Sequence, residues 1–134
     1  MRPAIKRNKG SDSMKIAISS TGKDLESEVD QRFGRCRFFI VADVDGSGDV
    51  KSFSAIENIH AFQQGGAGTG AAKLVADSGA ENVITGSIGP RAFDVLSQFR
   101  MEMFSATGSV RDAIKAFSGG KLKKIAGPDF GGNP

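Results

Sequence analysis

The segment Gly65-Gly66-Ala67-Gly68-Thr69-Gly70 is the strongest candidate for binding chemistry, because it leads directly into a stretch of helical periodicity. Glycines leave backbone N–H groups uncovered, and the amino end of a helix carries partial positive charge, so the segment could hold an anion without a basic side chain. The alternative is a flexible loop between two elements. We predict a ligand site at Gly65, Gly66, Gly68 and Thr69.

The familiar nucleotide motifs do not describe this segment. Gly66, Gly68 and Ala71 satisfy the spacing G-x-G-x-x-A, but a dinucleotide site also needs a strand directly before it and an acidic residue at the end of the next strand. Here residues 60–64 precede the glycines, and Gly86 follows the next predicted strand. No Gly-Lys-Ser/Thr occurs, which excludes a P-loop.

Two further glycine-containing loops lie at residues 86–90 and 106–109. Each is short and connects the end of a predicted strand to the start of a predicted helix. If their strands are parallel, both loops lie at the carboxyl edge of one sheet, where open α/β folds bind ligands. Helix amino ends would then converge on one pocket and favour a negatively charged ligand. The predicted contributors are Gly86, Ser87, Gly89, Thr107 and Gly108.

Arginines accompany the candidate loops at positions 35, 37 and 91. Each could contact an anion, although a solvated surface arginine is the commoner role. We include Arg35 in the predicted ligand site.

Cys36 and His60 are the candidate metal ligands. Arginines flank Cys36 on both sides and should lower the pKa of its thiol, which favours the thiolate that soft metals require; a buried, inert cysteine is the alternative. His60 is the only histidine. The two residues cannot enclose a metal alone, but they could supply one or two ligands to a preformed cluster. A structural or exposed role for His60 stays open.

Catalytic constellations are missing from the sequence. No serine lies in G-x-S-x-G, His60 has no recognisable serine partner, and the acidic residues between positions 24 and 30 are typical of a solvated segment. We expect a binding protein rather than an enzyme.

The periodicities predict a single α/β domain with a mixed five-stranded sheet flanked by helices. Residues 15–19 and the nearly continuous apolar run 37–43 are predicted strands, the second one central, and residues 50–56 return as a hairpin. Helix, strand, helix, strand and helix then alternate. The strands are predicted at 82–85 and 101–104. Three signals mark helix ends: Gly79 as a helix-ending glycine, Pro90 in a first turn, and Ser109 with Asp112 as a capping box.

Composition sets the wider limits. The chain has 134 residues, one cysteine and a net charge of +3, which fits one domain without a disulfide framework. Residues 1–13 resemble a disordered leader or tag remnant, residues 14–120 the domain, and residues 121–134 a flexible tail. No apolar stretch suggests a signal or a membrane span, so we expect a cytoplasmic protein. Basic residues at both ends lack interleaved aromatic residues, which argues against nucleic-acid binding.

Several segments together resemble the dinitrogenase iron-molybdenum cofactor biosynthesis family, which includes NifX-like carriers and the C-terminal domain of NifB. They are Met14-Lys15-Ile16-Ala17-Ile18, residues 29–36 (VDQRFGRC), residues 65–72 (GGAGTGAA), residues 83–93 (VITGSIGPRAF) and Gly119-Gly120-Lys121-Leu122. The order and spacing of these segments, rather than any single one, carry the resemblance over about residues 14–128.

The resemblance implies a ribonuclease-H-like three-layer fold and the binding or delivery of anionic iron-sulfur or iron-molybdenum cofactor precursors. It also implies cofactor-assembly or acceptor proteins as partners of what we expect to be a monomer or weak dimer. Many members carry a histidine directly before Gly-Ala-Gly, where this chain has Gly65, and Cys36 matches a cysteine after Gly-Arg. A metal-free module that binds small anions or nucleotides is the alternative function.

Overall fold

The computed structural model describes residues 13–127, so residues 1–12 of the predicted leader (1–13) and residues 128–134 of the predicted tail (121–134) lie outside it. The elements follow as β1 (Met14–Ser20), β2 (Phe38–Val44), β3 (Val50–Glu57), α1 (Ala67–Asp77), β4 (Asn82–Thr85), α2 (Pro90–Gln98), β5 (Glu102–Ser105), α3 (Val110–Ser118) and β6 (Lys123–Lys124).

The sheet is mixed and has six strands in the order β3-β2-β1-β4-β5-β6. β1, β4 and β5 run parallel, whereas β2, β3 and β6 pair antiparallel to their neighbours. The predicted count of five was wrong, because Lys123 and Lys124, placed in the expected tail, pair with Ser105 and Phe104 at the edge. The predicted hairpin is confirmed, but β1 and β4 take the centre of the sheet instead of β2.

Two apolar layers form because consecutive residues of a strand face opposite sides of the sheet. In β1, Ala17 packs with α1 and α2 residues on one face, while Ile16 and Ile18 pack with α3 residues on the other. The result is an α/β/α arrangement with α1 and α2 on one side and α3 on the other. Its assignment to the ribonuclease-H-like type stays a prediction.

Local signals position the helices as predicted. Gly79 (φ 86°) follows the end of α1, Pro90 opens α2, and the Ser109 hydroxyl accepts a hydrogen bond from the Asp112 N–H at the start of α3. α1 begins earlier than predicted, at Ala67, so that Gly68, Thr69 and Gly70 belong to its first turns instead of a loop. No helix within residues 13–127 is long and apolar enough to cross a membrane.

Candidate functional site

The predicted loops do meet at one edge of the sheet. β4 and β5 end side by side, with Thr85 paired to Ser105, and both run parallel to β1. The beginning of β2 and the end of β3 reach the same edge, because Phe38 pairs with both Ser20 and Glu57. This edge, called the carboxyl edge below, therefore carries all three candidate glycine loops.

Residues 21–37 run across the carboxyl edge, and we call them the crossing segment. It makes isolated bridges from Val29 to Ser20, from Glu28 to Ser109 and from Arg32 to Ser87. The chain therefore covers part of its own sheet edge, the position at which an open α/β sheet usually receives a ligand.

The Gly86-Ser87 loop is bound to the crossing segment. The Gly86 N–H donates to the Asp30 carbonyl at 3.3 Å, and both the N–H and the hydroxyl of Ser87 donate to the Gln31 carbonyl at 2.9 Å. A Cβ on Gly86 would lie 2.5 Å from the Gln31 Cα, so the contact requires glycine. Gly86 and Ser87 thus hold the chain together here, and their N–H groups already have partners.

The amino end of α3 is closed in the same way. The Val110 N–H donates to the Ser27 carbonyl at 2.8 Å, and the Arg111 N–H donates to the Leu25 carbonyl at 2.9 Å. The Asp112 N–H donates to the Ser109 hydroxyl at 3.0 Å. The Gly108 carbonyl accepts from the Val29 N–H, and an Arg111–Glu26 ion pair adds a surface contact. Thr107 and Gly108 therefore stand beside a helix end that leaves no first-turn donor for a ligand.

The first N–H groups of α1 and α2 have no hydrogen-bond acceptor within the described residues, and we call these amino ends open in that sense. Their N-cap residues, Gly66 (φ 77°) and Gly89, have no capping side chain, and neither first turn holds an acidic residue. Among residues 13–127, no acceptor engages the N–H groups of Ala67, Gly68 and Thr69 in α1, or of Arg91 and Ala92 in α2. Such donors at a helix amino end form a favourable anion site.

These two open ends also touch each other. A Cβ on Gly68 would lie 3.5 Å from the Cβ of Ala92, so the first turns of α1 and α2 are in contact. Gly34 approaches from the crossing segment so closely that its own Cβ would lie 2.9 Å from the Gly68 Cα. Arg91 is exposed on the first turn of α2 and forms no ion pair within the described residues. The paired amino ends, with Arg91 on the first turn of α2, are therefore a candidate anion-binding feature of the edge.

Cys36 does not have the chemistry that its neighbours suggested. It is fully buried, and burial raises the pKa of its thiol from the ordinary value to about 12. Its Sγ lies 3.4 Å from the Phe33 carbonyl, which accepts its hydrogen bond. Arg35 turns away to donate to the Ala61 and Gln63 carbonyls at 3.2 and 2.6 Å, and Arg37 is exposed. The structure favours the buried, neutral thiol over the thiolate, because desolvation has the largest effect on this pKa and outweighs the hydrogen bonds from the Ser20 backbone and the Asn58 side chain, which lower it.

His60 packs against the glycine segment instead of joining Cys36. A Cβ on Gly70 would lie 2.5 Å from the His60 ring, so glycine is required for this packing. Gln63 donates from its amide nitrogen to the Gly65 carbonyl at 2.8 Å, and its Oε1 faces His60 Nδ1 at 2.8 Å. Because a carbonyl only accepts, Nδ1 must carry the proton, which leaves the lone pair of the neutral ring on Nε2. No group of three or more potential metal-ligating side chains occurs among residues 13–127.

A cavity of about 270 Å³ lies on the other side of the loop that opens α2. Its lining combines the loop and the last strand pair: Gly86, Ser87, Ile88, Ser105, Lys123, Lys124, Ile125, Ala126 and Gly127. Lys124 pairs with Glu102 at 3.3 Å, whereas Lys123 has no ion pair within residues 13–127. Sequence reasoning missed Ser105 and Lys123, because β6 is too short to leave a periodic signal.

Comparisons with known proteins agree on one family. The model of the family described as dinitrogenase iron-molybdenum cofactor matches residues 14–120. Protein MJ0580 of Methanocaldococcus jannaschii is 35% identical over 113 residues, which cover 84% of this chain and 92% of that protein.

Two solved structures are also similar. The apo form of the orange protein from Desulfovibrio gigas is 32% identical with a TM-score of 0.78, over 90% of this chain and 99% of its own. The structure of a Thermotoga protein of the DUF35 family is 30% identical with a TM-score of 0.74, over 89% of this chain and 99% of its own.

Proposed function

Because this chain belongs to the dinitrogenase iron-molybdenum cofactor family, we propose that it binds an anionic iron-sulfur or iron-molybdenum cofactor precursor at the carboxyl edge. In this proposal the protein does no chemistry on the precursor and delivers it to a cofactor-assembly or acceptor protein. The precursor is cargo. Its place is at the touching amino ends of α1 and α2, which are the observation that carries the proposal.

Charge supports this placement. Two helix amino ends each contribute partial positive charge, and Arg91 adds a full charge on the same first turn as Gly89. An anion there would also receive hydrogen bonds from the uncapped N–H groups, whose geometry the helices already fix.

The buried Cys36 thiol favours binding without thiolate ligation. A neutral, desolvated thiol is a poor metal ligand, so the cargo would be held by hydrogen bonds, charge and at most the Nε2 lone pair of His60. Binding of this kind suits delivery, because no metal–thiolate bond has to break when the cargo leaves.

The test is anaerobic loading of the full chain with iron, molybdate and sulfide, and separately with isolated iron-molybdenum cofactor, read by visible absorption and metal content. We expect cluster-dependent absorption that co-elutes with the wild type and with Cys36→Ser. A folded Cys36→Ser variant that loses the cluster would replace our binding mode with thiolate ligation. Absence of bound metal after both treatments would contradict the proposal.

The alternative function, a metal-free module for small anions or nucleotides, would use the same open helix ends. A thermal-shift series with phosphate and nucleotides separates the two, because a ligand that binds only the folded state raises the melting temperature. Stabilisation by these compounds together with failure to take up either cluster would favour the alternative.

A further inference from the structure

β3 is an edge strand whose outer side has no partner among residues 13–127. It is the longest strand of the sheet, with eight residues, and its exposed residues include Phe53, which is 42% accessible. Long edge strands invite pairing with another strand, because their outward N–H and C=O groups are unsatisfied by protein. At the opposite edge β6 has only two residues.

The pairing with β2 decides which backbone groups face outward. The Asn58 N–H donates to the Arg37 carbonyl at 2.9 Å, so the antiparallel ladder places the backbone groups of even-numbered β3 residues toward β2. The odd-numbered residues therefore present their N–H and C=O groups to the outside. These residues are Phe53, Ala55 and Glu57, because the register shift between Asp43 and Val44 places a β-bulge at Lys51, where the regular alternation ends.

We propose that β3 pairs with the β3 strand of a second copy of this chain, antiparallel about a two-fold axis at Ser54. In this register Lys51 faces the partner's Glu57, Phe53 faces the partner's Ala55, and the two Ser54 residues meet at the centre. The regular stretch around Ser54 then places Phe53 and Ala55 in hydrogen-bonded pairs, which give about four N–H···O bonds, while the bulge at Lys51 interrupts the ladder at each end.

Charge and size complementarity select this register and this partner. The dimer gains two Lys51–Glu57 pairs, one at each end of the paired strands, and oppositely charged cross-strand pairs are favourable whereas like charges repel. The small Ala55 and Ser54 leave room for the partner's Phe53 and for close approach at the centre. A two-fold axis at Phe53 would instead place the two phenylalanines together and leave Lys51 opposite Ala55.

The space beside β3 can accept a partner. A groove of about 600 Å³ runs along its α3 side, lined by Leu25, Asp49, Val50, Lys51, Ser52, Phe53 and Arg111. Neither Lys51 nor Glu57 forms an ion pair within the described residues, so both charges are available to the second copy.

The experiment is sedimentation equilibrium of the full chain, with Lys51→Glu, Glu57→Lys and the double charge swap. We expect a wild-type dimer, a dissociation constant raised roughly tenfold or more by each single reversal, and recovery to within about threefold in the double swap. Far-UV circular dichroism confirms that each variant is folded.

A second variant tests the backbone pairing. Ala55→Pro removes an outward N–H that the β2 ladder does not use, so it should leave the monomer folded and weaken the dimer. A wild type that stays monomeric up to about 1 mM, or a dimer that responds to neither charge reversal nor proline, would overturn the proposal. Neither result depends on metal binding, so the inference stands or fails separately from the proposed function.

Discussion

The amino ends of α2 and α3 share a local plan, in which a parallel strand ends, a glycine loop turns and a helix begins. They differ in whether the first N–H groups of the helix find acceptors within the protein. At α3 the first N–H groups donate to the crossing segment and to Ser109. At α2 the corresponding groups of Arg91 and Ala92 have no acceptor among residues 13–127. The same type of donor thus anchors the chain in one place and is available to a ligand in the other.

The difference has a physical cause in the path of residues 21–37. This segment contacts the loop after β4 and the start of α3, where its carbonyls accept from the helix N–H groups. Its Gly34 then packs closely against Gly68 at the start of α1. We expect the closed end to contribute to stability, and under the proposed function the open ends bind the ligand. Each role can be tested by a substitution at one end and its counterpart at the other.

The largest effect should come from Gly86→Ala, which tests the anchoring role. The added Cβ would lie 2.5 Å from the Gln31 backbone, so the crossing segment must shift, at a cost of about 2–4 kcal/mol in the free energy of unfolding. Chemical denaturation measures this. Gly89→Ala, three residues later in open space, is the matched control and should cost well under about 1 kcal/mol; equal costs would show that the edge is not closed here.

Gly89→Asp should weaken anion binding at the open end by at least about tenfold. Gly89 has ordinary backbone angles (φ −80°, ψ 173°) and no atom within 4 Å of an added Cβ, so aspartate fits and can cap α2 with its own carboxylate. Cofactor titration by visible absorption measures the loss. Gly89→Ala should bind like the wild type, and undiminished binding by Gly89→Asp would move the site away from α2.

Ser109→Ala should destabilise the closed end by about 1 kcal/mol, because the Asp112 N–H loses its hydroxyl acceptor. The affinity for anions should stay unchanged. The reciprocal substitution, Gly89→Ser, should raise the melting temperature slightly by adding a cap that α2 lacks. A change in anion affinity of the Ser109→Ala variant would indicate that α3 also contributes to the site.

The smallest expected effect is the contribution of Cys36 to the pH dependence of stability. It tests whether Cys36 is a thiolate that could bind the ligand in place of the open helix ends. Its pKa is raised in the folded state, so the unfolded chain loses this proton first as the pH rises above about 9, and stability falls from there toward the folded pKa of about 12. Between pH 8 and 9.5 we expect a loss of roughly 0.5–1 kcal/mol that is missing from Cys36→Ala. Rapid thiol labelling of the native wild type at pH 8 would contradict the buried, neutral thiol.

Much of the fold followed from local signals. Apolar runs indicated the strands, Pro90, Gly79 and Ser109 marked helix ends, and alternation of strands and helices predicted the parallel core that brings three glycine loops to one edge. β6 escaped prediction, because two lysines at a sheet edge carry no periodic pattern and are recruited only by pairing with β5.

The sequence by itself determined that glycines would begin the helices at one sheet edge and that a single cysteine and a single histidine could not enclose a metal. Only the tertiary structure decided which helix ends stay open, because the carbonyls that close α3 come from Leu25 and Ser27, far away along the chain. The tertiary structure likewise decided the protonation of the Cys36 thiol, because desolvation depends on the groups that pack around it. The neighbouring arginines in the sequence indicated only that charge could be nearby. The glycine pattern specifies possible donors, and the path of the crossing segment decides which of them a ligand can reach.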